Sequence, residues 1–182
     1  MKRNISIAFI VLLLTITFSN SSFADDFGLG NSDTGNRADN GWHDYCTSLS
    51  YPATWTTPID DAMRYLDSST VMTTFSQATC ANWTDAQFRV LSNAEMGSQT
   101  RGATQCMDNQ LDPISHICGG ASIFLKSSLL TSYGQRRKTI CHEVGHSVGL
   151  THSLTTTDCM ISGSSTVDWY GTHHLAHINA TY

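Results

Sequence analysis

Apolar residues are spread unevenly along the chain, and their spacing changes from one segment to the next. Ile7 to Phe18 is an apolar run, preceded by Lys2 and Arg3 and followed by Ser22-Phe23-Ala24. The run is too short to span a bilayer. Its charged start and small-residue end predict a cleaved export signal over residues 1–24. Residues 25–44 are rich in Gly, Asn and Asp and poor in apolar side chains, which predicts a flexible leader. Residues 55–57 read as a short strand, and Pro58 then opens a helix with Ile59, Ala62, Met63 and Leu66 at helical spacing. Residues 71–75 read as a strand, and so do residues 87–91, where Phe88 and Val90 alternate with polar neighbours. Residues 97–120 read as a turn-rich connection, and 121–125 as one more strand. Residues 133–150 contain no proline and carry Ile140, Val144 and Val148 at every fourth position, a helix with an apolar stripe toward a core. Arg136, Arg137 and Lys138 near its start read as a solvated face. A second short helix is expected from Asp168 onward. This order predicts one α+β domain over residues 45–182.

Charge and cysteines narrow the picture. Removal of residues 1–24 takes Lys2 and Arg3 with it and leaves 158 residues, enough for one domain with its own core. Eight Lys and Arg then face fifteen Asp and Glu, a formal charge of −7. That balance argues against nucleic acid or an anionic membrane as a partner. No second apolar run of spanning length follows, so no membrane association is expected after cleavage, and the protein is read as a monomer. All six cysteines lie beyond the signal, and none forms a C-x-x-C pair. In an exported chain they are expected to be disulfide-bonded, in the extracellular space or periplasm.

The chemistry concentrates in His142-Glu143-Val144-Gly145-His146-Ser147-Val148-Gly149-Leu150-Thr151-His152, which reads H-E-x-x-H-x-x-G-x-x-H. Helical residues four apart share a face, so His142 and His146 can offer their imidazoles to one metal ion. Glu143, beside the first ligand, can take a proton from a metal-bound water. Gly149 can end the helix in a left-handed conformation, after which the chain returns His152 to the ion. Three neutral nitrogens leave one tetrahedral position open, as in a catalytic Zn2+ site.

This extended motif resembles the signature of the metzincin zinc metallopeptidases. Met160, eight residues after His152, is similar to the methionine of the turn beneath the metal in that clan. Ser153, directly after the third histidine, resembles the matrixin branch, closest to small bacterial secreted members, and the ending from His177 to Tyr182 is weakly similar to them. Ser162 stands where astacin-like and serralysin-like members carry tyrosine, and no proline-arginine-cysteine latency motif is present. The resemblance implies a twisted mixed sheet with helices above a zinc cleft and a small C-terminal subdomain. It implies a secreted zinc-dependent endopeptidase that hydrolyses peptide bonds through a zinc-activated water, with Glu143 as general base and His142, His146 and His152 as ligands. Substrate would lie along an edge strand, with residues 162–168 walling the pocket for the residue beyond the cut. Six cysteines leave fifteen pairings open. The motif favours Cys141–Cys159, because both cysteines directly precede residues that the resemblance brings to the metal. Cys106–Cys118 then closes a short loop, and Cys46–Cys80 remains.

Other features are plainer. Residues 25–44 double as a candidate short propeptide whose carboxylate reaches the zinc. Asp108 and Asp112 are candidates for a structural Ca2+, as in matrixin relatives, or a solvated turn. His173 and His177 are four apart, a candidate second metal pair or an ordinary helix face. Asn82 and Asn179 head glycosylation sequons. Two other functions stay open: a non-catalytic module that keeps zinc for structure, and a zinc hydrolase acting as an exopeptidase or on a non-protein amide.

Overall fold

Most of the strands assemble into one sheet beneath two helices. A computed structural model describes residues 36–48, 52–92, 95–107, 111–112 and 114–182; the expected signal, the leader as far as residue 35, and Asp108 lie outside them. Along the chain run β1 (Arg37–Ala38), β2 (Trp42–Thr47), α1 (Thr56–Ser69), β3 (Thr73–Ser76), β4 (Ala86–Leu91) and β5 (Gly102–Cys106). β6 (Leu111–Asp112), β7 (Ile117–Cys118), β8 (Ala121–Lys126), α2 (Tyr133–Ser147) and α3 (Thr172–Thr181) follow. The main sheet has the order β3-β2-β4-β8-β5, parallel except that β5 runs antiparallel to β8 at one edge. β1, β7 and β6 form a small second sheet.

The core lies between sheet and helices. Ile59, Met63 and Leu66 of α1 meet Phe88, Ile123 and Leu125 of the sheet and the Ile140-Val144-Val148 stripe of α2, all fully buried. α1 and α2 pack on each other, and α2 lies across β8 and β5, which brings the motif helix to the antiparallel edge. Beyond Gly149 the chain adds the turn around Met160 and α3, a small C-terminal part. The architecture is thus α+β as expected. Disulfides join Cys46–Cys80, Cys106–Cys118 and Cys141–Cys159, the expected set.

Four expectations are corrected. The stretch expected to be a flexible leader over residues 25–44 ends in structure, since β1 and the start of β2 fall within it. β2 shows no apolar alternation because His43 and Asp44 are both buried, His43 bonded through Nε2 and Asp44 through its carboxylate to partners distant in sequence. Residues 55–57 are not a strand. Trp55 ends a 3-10 turn and is 2% exposed beneath the Arg136 guanidinium, and that anchoring overrides the strand preference of Trp and Thr. The 97–120 connection contains β5, whose Gly-Ala-Thr-Gln-Cys sequence carries no run of large apolar residues. The Arg136–Lys138 cluster is not a wet face: Arg137 and Lys138 are buried, the first beside Asp168 and the second on backbone carbonyls.

Candidate functional site

α2 is held at both ends by its own sequence. Ser132 caps the start, accepting from the Gln135 N–H while the Gln135 side chain accepts from the Ser132 N–H, a reciprocal box. At the other end Gly149 takes φ 98°, and the N–H groups of Gly149 and Leu150 donate to the carbonyls of His146 and Gly145. This is a Schellman closure, which a side-chain-bearing residue at 149 would strain. The chain reverses here, and His152 comes back over the helix.

The three histidines converge. Their Nε2 atoms are 3.1 Å apart for His142–His146, 3.2 Å for His146–His152 and 3.1 Å for His152–His142. Three ligands of a tetrahedral zinc at about 2.0–2.1 Å would be about 3.3 Å apart, so this triangle fits such an ion closely. His142 Nδ1 lies 2.8 Å from the Cys159 carbonyl and His146 Nδ1 2.8 Å from the Leu150 carbonyl. A carbonyl only accepts, so Nδ1 carries the hydrogen and the Nε2 lone pair faces the centre. Burial, then the neighbouring His146 and Lys138, drive the His142 pKa down to about 2, which keeps the ring neutral. Among the described residues this is the one cluster of three or more His, Cys, Asp or Glu able to hold a metal ion.

Glu143 lies beside the triangle and is 4% exposed. Thr104 of β5 places its hydroxyl 2.8 Å from Glu143 Oε2 and 2.9 Å from the Glu143 carbonyl. Among the described residues no hydrogen bond reaches Oε1. Burial pushes the carboxyl up to about 7, against the pull of the Thr104 hydroxyl and the Lys138 ammonium. The backbone of β5 passes so close that a Cβ on Gly102 would sit 2.5 Å from Oε1 and 2.8 Å from Cδ. A cleft of about 410 Å³ opens over the histidines, bounded by residues 99–102, by α2 and by residues 162–164. A larger hollow of about 640 Å³ lies elsewhere, over Cys80 and Arg89, away from the histidines.

Beneath the triangle, Met160 is fully buried against Gly145 and Tyr170, so close that a Cβ on Gly145 would overlap its sulfur. Asp158, 2% exposed, fixes this turn. It accepts from the Met160 N–H at 2.8 Å, the Ser153 hydroxyl at 2.9 Å and the Thr155 hydroxyl at 3.0 Å, and lies 3.4 Å from His174 Nδ1. Burial alone would raise the Asp158 pKa, but His174 and the hydroxyl donors outweigh it and lower it. The Tyr170 hydroxyl donates to the Cys141 carbonyl at 2.9 Å. Behind α2, buried His43 sets Nε2 2.9 Å from the Ser147 hydroxyl, and burial drives its pKa down to about 4 against the pull of Asp44.

The structure thus gathers the four predicted site residues, His142, Glu143, His146 and His152, at one cleft. Sequence reasoning missed Thr104, Gly102, Gly145, Asp158 and His43, none of which carries a local signal. The Ser132–Gln135 box was readable from its spacing. Asp112 accepts from the Ile114 N–H and the Ser115 hydroxyl and caps a turn. His173 and His177 stack at 4.9 Å, and among the described residues they belong to no group of three candidate metal ligands.

No protein-family model matches the chain, and no curated protein matches it. Among solved structures it is similar to an archaemetzincin of Methanopyrus kandleri, with a TM-score of 0.53 and 10% identity over 78% of this chain and 96% of that one. A hatching enzyme zinc-protease of the medaka fish Oryzias latipes matches with a TM-score of 0.38 and 20% identity over 64% of this chain, which spans about half (48%) of that one. The likeness to the archaemetzincin is one of fold, and the fold is metzincin-like.

Proposed function

We propose that the chain is a secreted zinc-dependent endopeptidase of matrixin-like character. His142, His146 and His152 are the metal ligands and Glu143 is the general base. The reading rests above all on three converging Nε2 atoms beside a buried carboxylate with one unpartnered oxygen, at an open cleft. A zinc ion held there supplies Lewis acidity and lowers the pKa of water toward neutrality.

The chain's own groups do the rest. Glu143 Oε1 takes a proton from the attacking water and passes it to the leaving amine, as a buried carboxylate beside the metal centre can. Thr104 holds Oε2, so the carboxylate turns one oxygen to the substrate. β5 is a sheet edge along the cleft, and its free edge supports an extended peptide bound as an added strand. The three disulfides support an extracellular or periplasmic setting. No described helix is long and apolar enough to cross a membrane.

The test is digestion of casein and of a peptide library by zinc-loaded protein. Internal cuts are expected. Terminal trimming alone would make it an exopeptidase, and no cleavage by protein with bound zinc would make it a non-catalytic module. Glu143→Ala should keep zinc and fold but lose about a hundredfold to ten-thousandfold in turnover.

A further inference from the structure

The lining of the cleft is as informative as its metal triangle. Among the described lining residues there is no Leu, Ile, Val, Met, Phe, Tyr or Trp; they are hydroxyls, amides, glycines, the site's own His and Glu, and two cations, Lys138 and Arg101. A large apolar side chain entering here would meet no large apolar side chain to pack against. The chain has only ten Lys and Arg against fifteen acids, so two cations in one small cleft run against its overall charge.

Lys138 lies one helical turn before His142, on the same face of α2. It is 6% exposed. Its ammonium donates to the carbonyls of Ile161 at 2.8 Å and Gly163 at 3.3 Å, on the cleft's far wall. An ammonium has three N–H groups, so one is left without an acceptor among the described residues. Arg101, half-buried at the entry to β5, brings a guanidinium to the same cleft. Neither cation is in an ion pair among the described residues. Lys138 is drawn to the Glu143 and Asp158 carboxylates without an ion pair to either, and a carboxylate arriving between Lys138 and Arg101 would form charge-assisted hydrogen bonds to both. Glu143 is the lining's one acid, and its oxygens are committed to Thr104 and the reaction.

We propose that Lys138 and Arg101 form a receptor for a carboxylate side chain, so that the chain selects peptides with Asp or Glu next to the bond it cuts. This rests on the endopeptidase reading. It adds a specificity that the absence of apolar lining also demands.

The experiment profiles cleavage of a peptide library by zinc-loaded protein, alongside matched peptides carrying Asp or Asn at the preferred position. Asp and Glu should be enriched at a position adjoining the cut. The Asp peptide should exceed its Asn twin in kcat/KM by about ten- to a hundredfold. Lys138→Met should collapse that ratio, Lys138→Arg should retain most of it, and Arg101→Ser should reduce it. Loss of a merely structural clasp on residues 161–163 would lower both peptides equally and leave the ratio intact, which would overturn the assignment of Lys138. If Lys138→Met does not fold, Arg101→Ser and Lys138→Arg carry the comparison. A second readout needs no turnover: zinc-loaded Glu143→Ala protein, immobilised, should capture acidic peptides from the same library and lose them in 0.5 M salt, on the order of a 5 Å screening length. Acid capture with no cleavage by the zinc-loaded parent would sink the endopeptidase reading, and the cleavage preference with it, while keeping Lys138 and Arg101 as a carboxylate receptor. Cleavage and capture both indifferent to Asp and Glu would overturn it.

Discussion

Two glycines show how single positions control the site. At Gly145 the missing side chain lets the Met160 sulfur rest directly on the helix backbone, between His142 and His146 of α2. Gly145→Ala should therefore push Met160 away, at the cost of overpacking, about 1–3 kcal/mol. A lower Tm and faster loss of zinc to a chelator are expected; unchanged values of both would refute the contact. Gly102 has the same relation to Glu143. Asp85 makes a different kind of prediction. It exchanges backbone hydrogen bonds with Asp44, each carboxylate accepting from the other residue's N–H at 2.9 Å. Burial, reinforced by the Asp44 carboxylate, raises its pKa to about 7 despite the Asp44 N–H. The unfolded chain ionises the same group near about pH 4. The folded state thus holds this proton more tightly, so its stabilising contribution is full below about pH 4 and is lost as pH rises through about 7. Asp85→Asn cannot ionise and keeps an acceptor for the Asp44 N–H. Its Tm advantage over the parent should grow between pH 4 and pH 8, and thermal melts showing a flat difference would contradict the pair.

At the scale of elements, α2 and the turn after it form one unit. The Cys141–Cys159 bridge, the His142 Nδ1 bond to the Cys159 carbonyl and the Tyr170 bond to the Cys141 carbonyl all tie the helix to the methionine turn. Cross-linking across a separation of 18 residues is worth about 3 kcal/mol by loop-closure entropy. Selective reduction should loosen the turn and His152 before the sheet unfolds. Hydrogen exchange of residues 150–163 is the measurement, and uniform exchange across the whole chain would count against it. Asp158 does by hydrogen bonding what the disulfide does covalently. Asp158→Ala strands the Met160 N–H and two hydroxyls, each costing about 1–3 kcal/mol if left unpaired. Zinc affinity measured by chelator competition should fall with stability, because Ser153 directly follows the third histidine.

At the scale of the molecule, Tyr182 braces three elements. The Tyr182 hydroxyl donates to the Val148 carbonyl at 2.9 Å and accepts from the Ala38 N–H at 2.8 Å, joining the end of α3, the end of α2 and β1. Tyr182→Phe removes both bonds and leaves a carbonyl and an N–H short of a partner. A drop in Tm of a few degrees is expected, roughly what about 1 kcal/mol gives at this size; no drop would place the brace outside the cooperative unit.

What could be read from the chain alone was local. The histidine triad spans one helix and its cap, so the four-residue and six-residue offsets carry the geometry, and Gly149 carries the reversal. The apolar stripes of α1 and α2 and the alternation in β4 follow from backbone periodicity, which needs no partner to be seen. β2 and β5 stayed hidden because polar residues hold buried positions in both. His43 sets Nε2 against Ser147 across 104 residues, and Thr104 bonds Glu143 across 39. A buried polar residue is indistinguishable in sequence from an exposed one until its partner is in place. The same reason kept the Asp158 network and the Lys138–Arg101 pair out of view. Spacing along the helix was enough to assemble a candidate metal site, whereas the groups that orient it and line its cleft were decided by which distant segments the sheet brings to its edge.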